Sequence, residues 1–188
     1  MLAIAVCMGV ACAPVNAQEP VPGARGFDAK HTRYRFDVRA RWGQHVGGTF
    51  ARHDGALTRL PDGRQQVRVR LEAGAVQVAG PQRYTALARG EKFFDAQRFP
   101  DIEFISDPHH PALLREGGPL RGTVLLHGQR RAETFAVEPS RCDRPGEDCD
   151  IVARGKVSRA AYGMNVWSVA LADSVLFTLR VRYAPVAP

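Results

Sequence analysis

Tyr34-Arg35-Phe36-Asp37-Val38-Arg39-Ala40-Arg41-Trp42 alternates without a break, with apolar residues at even numbers and charged ones at odd numbers. Successive side chains of a β-strand point to opposite faces, so this stretch reads as a strand with one dry and one wet face. Val67-Arg68-Val69-Arg70-Leu71-Glu72 repeats the pattern, and Val175, Phe177, Leu179, Val181 and Tyr183 share one face of another such run. Working outward, strand-like runs between Gly, Pro and Asp turns fall near 31–42, 45–58, 64–78, 101–106, 119–127, 132–138, 150–159 and 173–183. There is no long amphipathic helix, repeat unit or low-complexity tract; Thr85 to Gly90 reads as one or two helical turns. The expectation is an all-β, antiparallel, eight-stranded sandwich or closed barrel. Gly47-Gly48, Gly55, Gly74, Gly122, Gly128 and Gly155 lie in or beside these runs, where glycine marks bulges, bends or barrel corners, and such curvature favours the barrel.

With 188 residues, 45% of them hydrophobic, the chain can bury one core but not two comfortable ones. Leu2 to Val15 is uncharged and apolar and ends in Val15-Asn16-Ala17, which reads as a secretory signal peptide over residues 1–17, with the domain at 18–188. A lipid anchor at Cys12 is the weaker reading, because Gly9 stands where such a cleavage motif usually has Leu. Export would leave Cys142 and Cys149, spaced C-x₆-C, in an oxidising compartment. Neither the zinc nor the C-x-x-C redox spacing is met, so a disulfide is expected.

The net charge of +7 invites a nucleic-acid reading, but most arginines fall on the wet faces of strands and are not gathered with interleaved aromatics. No nucleic-acid partner is expected; the basic exterior gives only a weak electrostatic hint toward anionic membrane surfaces. The sequence has no G-x-S-x-G elbow, H-E-x-x-H, P-loop or dinucleotide glycine fingerprint. His109-His110 sits in a proline-bounded stretch and reads as an exposed loop rather than a metal site. No catalytic residue and no metal ligand is expected.

Five segments together carry a family resemblance. Phe27-Asp28-Ala29-Lys30-His31-Thr32, Gly48-Thr49-Phe50 and Gly122-Thr123-Val124-Leu125-Leu126-His127-Gly128 are three of them. The fourth, Phe93-Phe94-Asp95-Ala96-Gln97-Arg98-Phe99-Pro100-Asp101-Ile102-Glu103-Phe104-Ile105-Ser106, fits F-F-D-x-x-x-(Y/F)-P-x-I-x-F-x-S. The fifth, Arg159 with Tyr162-Gly163-Met164, fits R-x-x-(F/Y)-G-M. Taken in chain order, from about residue 26 to 183, they resemble the YceI-like polyisoprenoid-binding family. There is one departure: the family often has an Asp and a His where Thr85 and Leu87 stand, which makes that end of the barrel more apolar.

The resemblance implies an exported, periplasmic, lipocalin-like barrel that encloses an isoprenoid chain or a quinone tail, without catalysis and without a required cofactor. Alternation points Phe36, Val38, Phe50, Val67, Val69 and Phe104 inward, with Val124, Leu126, Phe135, Phe177 and Leu179, an uncharged lining that suits hydrocarbon. Phe94 joins them as a lining residue from the F-F-D segment; Phe93, Phe94 and Phe99 would either plug one barrel end or line its entrance. Each enclosed isoprene unit would gain roughly 3 kcal/mol gross, and ordering the chain cuts the net well below that. Asp95 is expected to cap a turn, and Arg159 to satisfy buried carbonyls rather than meet a lipid head group. Partners on this reading are the apolar lipid first, then a membrane redox protein and a second copy in a homodimer. A small barrel enzyme acting on a hydrophobic substrate ranks last.

Overall fold

The structure, a computed structural model, describes residues 23–185. One antiparallel sheet contains all eleven strands. In chain order the strands are β1 (Ala24–Gly26), β2 (Arg33–Ala40), β3 (His45–Phe50), β4 (His53–Arg59), β5 (Gln65–Glu72), β6 (Val76–Val78) and β7 (Asp101–Ser106), then β8 (Gly118–Leu126), β9 (Gln129–Val137), β10 (Ile151–Ser158) and β11 (Leu171–Val181). Two short helices interrupt them, α1 (Gln82–Arg89) and α2 (Leu113–Glu116). The sheet order is β1-β4-β5-β7-β8-β9-β10-β11-β2-β3-β6. It curls into a half-barrel with its apolar residues on the inner face.

Eleven strands stand where eight were expected. The run 45–58 is interrupted at Ala51-Arg52 and the run 64–78 by a 3₁₀ turn at Ala73–Ala75, while β1 adds a three-residue edge. The pairing bridges both interruptions, since Ala51 N–H donates to the Ala75 carbonyl and Glu72 N–H to that of Arg52, both at 3.1 Å. Alternation sees side-chain faces and passes through such a bend without a signal.

In β2, Tyr34, Phe36 and Val38 are buried, and Arg33 and Arg35 are exposed. On the outer face arginines meet carboxylates, as in Arg70–Asp101 at 2.9 Å, Arg154–Glu138 at 2.8 Å and Arg35–Asp37 at 3.0 Å. Such exposed pairs contribute little each, about 0–1 kcal/mol. Stability comes from the inner face, where Phe36, Phe50 and Phe94 pack with centroids 5.6–6.0 Å apart and Phe104 lies 5.1 Å from Phe135.

Glycines within the strands seat these rings. A Cβ on Gly155 would come within 2.6 Å of the Phe135 ring, and one on Gly122 within 2.6 Å of Phe104. The β8–β9 hairpin turns through His127-Gly128, both at positive φ (49° and 71°), the two-residue geometry that matches the strand twist. Cys142 and Cys149 form a disulfide, Cα atoms 6.2 Å apart, in the β9–β10 loop. That loop is tied to the chain ends by the Tyr183 N–H donating to the Gly146 carbonyl at 2.8 Å and by Arg182 on Asp150 at 2.7 Å.

Candidate functional site

Inside the curl is a cavity of about 480 Å³, lined from β2, β3, β6, β8, β10, β11, α1 and the segments 41–44, 90–94 and 159–171. Phe36, Phe94 and Phe177 form its aromatic wall, Phe36 lying 6.0 Å from Phe94 and 6.3 Å from Phe177. Phe50 backs this wall without lining the cavity. A second void of about 40 Å³ lies among Val69, Phe104, Val124, Phe135 and Leu179.

The twelve residues expected to line a lipid cavity therefore separate. Phe36, Val38, Phe94, Leu126 and Phe177 line the large cavity. Leu126 and Phe177 also reach the small void, where Val69, Phe104, Val124, Phe135 and Leu179 gather. Phe50 and Val67 line neither. Alternation gives the face of the sheet but not the depth along the axis, which decides between hollow and filled. Sequence reasoning missed Val46, Val78 and Val175, which sat in the expected strand runs, Leu171, which precedes the run 173–183, and Trp167, for which the sequence carries no signal.

The lining was expected to be uncharged, and it is not. Arg41, Arg83 and Arg159 line the cavity with Gln44 and Tyr84. Arg41 and Arg159 stood at the ends of two of the expected strand runs, but β2 ends at Ala40 and β10 at Ser158, so both stand in the turns that follow, and Arg83 comes from α1. Among the described residues no Asp, Glu, His, Cys, Ser or Thr lines the cavity.

Arg159 is buried, and its guanidinium bonds backbone carbonyls. Nε donates to Ala172 at 3.1 Å, Nη1 to Met164 and Val166 at 3.1 Å each, and Nη2 to Leu171 at 3.3 Å. Loss of hydration on burial lowers its pKa, and the charge of Asp173 acts the other way. This is the carbonyl-satisfying role expected of it, and it pins segment 164–172. Within the same motif, Gly163 at φ 78° turns the chain and lets the Met164 N–H donate to the Arg159 carbonyl at 3.0 Å, with Tyr162 and Met164 buried.

In the F-F-D segment Phe93 and Phe94 line the cavity, whereas Phe99 packs on His127 at 5.0 Å and on Gly128. Asp95 turns the chain through a positive φ of 45°, and its carbonyl accepts from Arg98 N–H at 3.0 Å and Phe99 N–H at 2.8 Å. The cap is thus made by its backbone. Thr85 Oγ1 accepts from the Val78 N–H at 2.9 Å, fastening α1 to β6, and Leu87 stands exposed at the mouth. His109 differs from the expected exposed loop: it is half-buried and bridges to Gln65 by backbone bonds of 2.8 and 2.9 Å.

No curated protein is similar enough in sequence to count as a match. Among solved structures, BcnA of Burkholderia cenocepacia superposes with a TM-score of 0.69 at 16% identity, over 85% of this chain and 99% of that one. A polyisoprenoid binding domain from Saccharophagus degradans, implicated in plant cell wall breakdown, gives 0.64 at 13% identity, over 87% and 99%. The YCEI protein of Campylobacter jejuni gives 0.54 at 15% identity, over 74% and 85%. At such identities the likeness concerns the fold alone. The sequence itself matches the model of the YceI-like domain over residues 26–183, nearly the whole described chain, so this protein belongs to the YceI-like domain family.

Proposed function

We propose that this is an exported binding protein that encloses a long apolar isoprenoid-type lipid, a polyisoprenoid or the tail of a quinone, for transport, storage or sequestration. The observation that carries the reading is the cavity of about 480 Å³ walled by Phe36, Phe94 and Phe177. Pockets that take organic ligands run from roughly 300 to 1,000 Å³ and are mostly apolar with few polar groups. The curled half-barrel wraps around this space, a shape suited to one slim ligand. Polyisoprenoid binding is attributed by name to the Saccharophagus degradans neighbour, which makes that lipid class the first to try here.

On this reading the protein does no chemistry. A general acid–base pair needs groups that titrate near the working pH, and among the described residues the ionisable lining consists of three arginines and Tyr84. The test is native mass spectrometry with solvent extraction of protein purified gently from its own envelope. A stoichiometric isoprenoid or quinone mass is expected. A clean apo mass, together with no uptake of added polyprenyl compounds, refutes the reading.

A further inference from the structure

Six large hydrophobic side chains stand exposed among the described residues: Tyr84, Leu87, Val166, Trp167, Val169 and Leu176. Leu176 lies on the outer wall, within β11. The other five come from the two segments that frame the cavity mouth. Tyr84 and Leu87 belong to α1, which buries none of its residues. Val166, Trp167 and Val169 belong to a tight turn in which the Trp167 carbonyl accepts from Ala170 N–H at 2.9 Å and Leu171 N–H at 2.8 Å.

Two further observations point to what covers this rim. Trp167 is 49% and Val169 72% exposed, and Trp167 holds a φ of +65°. A bulky side chain enters that left-handed region only at a cost, and glycine would serve the turn better, so folding alone does not select tryptophan there. The charge around the rim is also predominantly positive, with Glu91 beside Lys92 the acidic exception just after α1. Segments 39–46, 82–89 and 164–171 hold Arg39, Arg41, Arg83 and Arg89 and no Asp or Glu. Among the described residues none of these four arginines is in an ion pair, whereas on the wall Arg70, Arg154 and Arg180 face Asp101, Glu138 and Asp150.

Apolar side chains with a tryptophan at the tip, set among unpaired arginines, fit the interface of a bilayer that contains anionic lipid. We propose that the cavity rim docks on such a bilayer, with Leu87, Trp167 and Val169 entering the boundary between head groups and acyl chains, and the arginines meeting lipid phosphates. The proposal rests on the lipid-binding reading only for its purpose, since the docked face surrounds the opening through which an apolar chain would pass. Docking itself needs no occupant in the cavity.

The experiment is co-sedimentation with phosphatidylcholine vesicles, with and without phosphatidylglycerol, using protein in the form in which it accumulates in cells. Binding is expected to be tighter with the anionic vesicles and to weaken in about 1 M salt, where the screening length falls to about 3 Å. The combined variant Leu87→Ser, Trp167→Ser, Val169→Ser should lower the partition coefficient by about a hundredfold. Replacing Arg41 and Arg83 by Gln should lower it by about fivefold per charge on anionic vesicles only. Leu176→Ser, also exposed but on the wall, should change nothing. Equal partitioning of the rim variant and the parent, or equal loss in Leu176→Ser, overturns the proposal. So does absence of vesicle binding when the rim variant instead dissolves a dimer, because the patch is then a protein interface. Extraction of the same samples separates the two readings: docking with an empty cavity refutes lipid enclosure alone, and a filled cavity without docking refutes docking alone.

Discussion

Replacing Arg159 by Met keeps the unbranched stem of the side chain but removes the donors that hold the carbonyls of Met164, Val166, Leu171 and Ala172. A hydrogen bond from a charged donor contributes about 1.5–3 kcal/mol, and a buried acceptor left unsatisfied costs about 1–3 kcal/mol. Two effects reduce the sum. Val166 is partly exposed, so water can replace part of what is lost. The variant also regains the cost of burying a cation whose nearest named counter-charge is Asp173. The expected loss is therefore about 2–4 kcal/mol, well below four full bonds. Arg159→Lys should lose nearly as much, because one ammonium cannot span four carbonyls set around a planar fork. Urea unfolding measures this, with a lower midpoint and an unchanged slope, and hydrogen exchange should rise first in 164–172. A loss under about 0.5 kcal/mol accompanied by a collapse of lipid affinity would refute the argument and place the guanidinium on the ligand.

Replacing Cys142 and Cys149 together by Ser opens a ring with a sequence separation of 7, so chain entropy predicts a loss of about 2.5 kcal/mol in non-reducing unfolding. Because neither cysteine lines the cavity, lipid affinity measured under folding conditions should not change. Phe177→Trp or Leu126→Trp should weaken lipid uptake while leaving the disulfide formed, since both side chains line the cavity; full retained affinity in extraction and rebinding would refute the cavity assignment. Asp173 is held below the usual carboxylate range by hydrogen bonds from Ser158 Oγ and the Ala160 N–H. It binds a proton less readily folded than unfolded, so its contribution is present above the usual carboxylate range and disappears as pH falls through the lower native value. Acid titration of Asp173→Asn, followed by circular dichroism, should show a shallower loss of stability over that window than the parent.

The strands could be read from the sequence because an inner face of Tyr34, Phe36 and Val38 against an outer face of arginines leaves the period-two signal intact. The expected run at 101–106 is β7 itself, and 119–127 and 150–159 each miss a strand boundary by one residue at either end. What alternation could not carry was anything set across strands. Gly48 reads as a bend, yet it lies opposite Phe36 in the β2–β3 register, where a Cβ would run into the Phe36 ring. Such a seat exists only once two distant segments are paired. The helix was expected from Thr85 and begins at Gln82, after Pro81, with no side-chain cap. Thr85 and Arg89 hold it instead, by bonds to Val78 and to the Val76 carbonyl from the neighbouring strand.

The same limit explains why the cavity was legible as a face and not as a place. Phe36 and Phe104 are both inward and 7% exposed, and no local property separates them. They differ in what fills the space in front of them. Phe104 meets Phe135 at 5.1 Å and packs the barrel axis. Phe36 looks toward segments that are not strands, namely α1, the 3₁₀ turn at Arg41–Gly43 and residues 159–171, which supply breadth without filling the centre. Those segments also bring the arginines and Trp167, so the expected apolar interior and the observed mixed mouth have a single cause. Strands build the wall, and the pieces between them decide whether it is hollow, how it opens and what charge surrounds the opening.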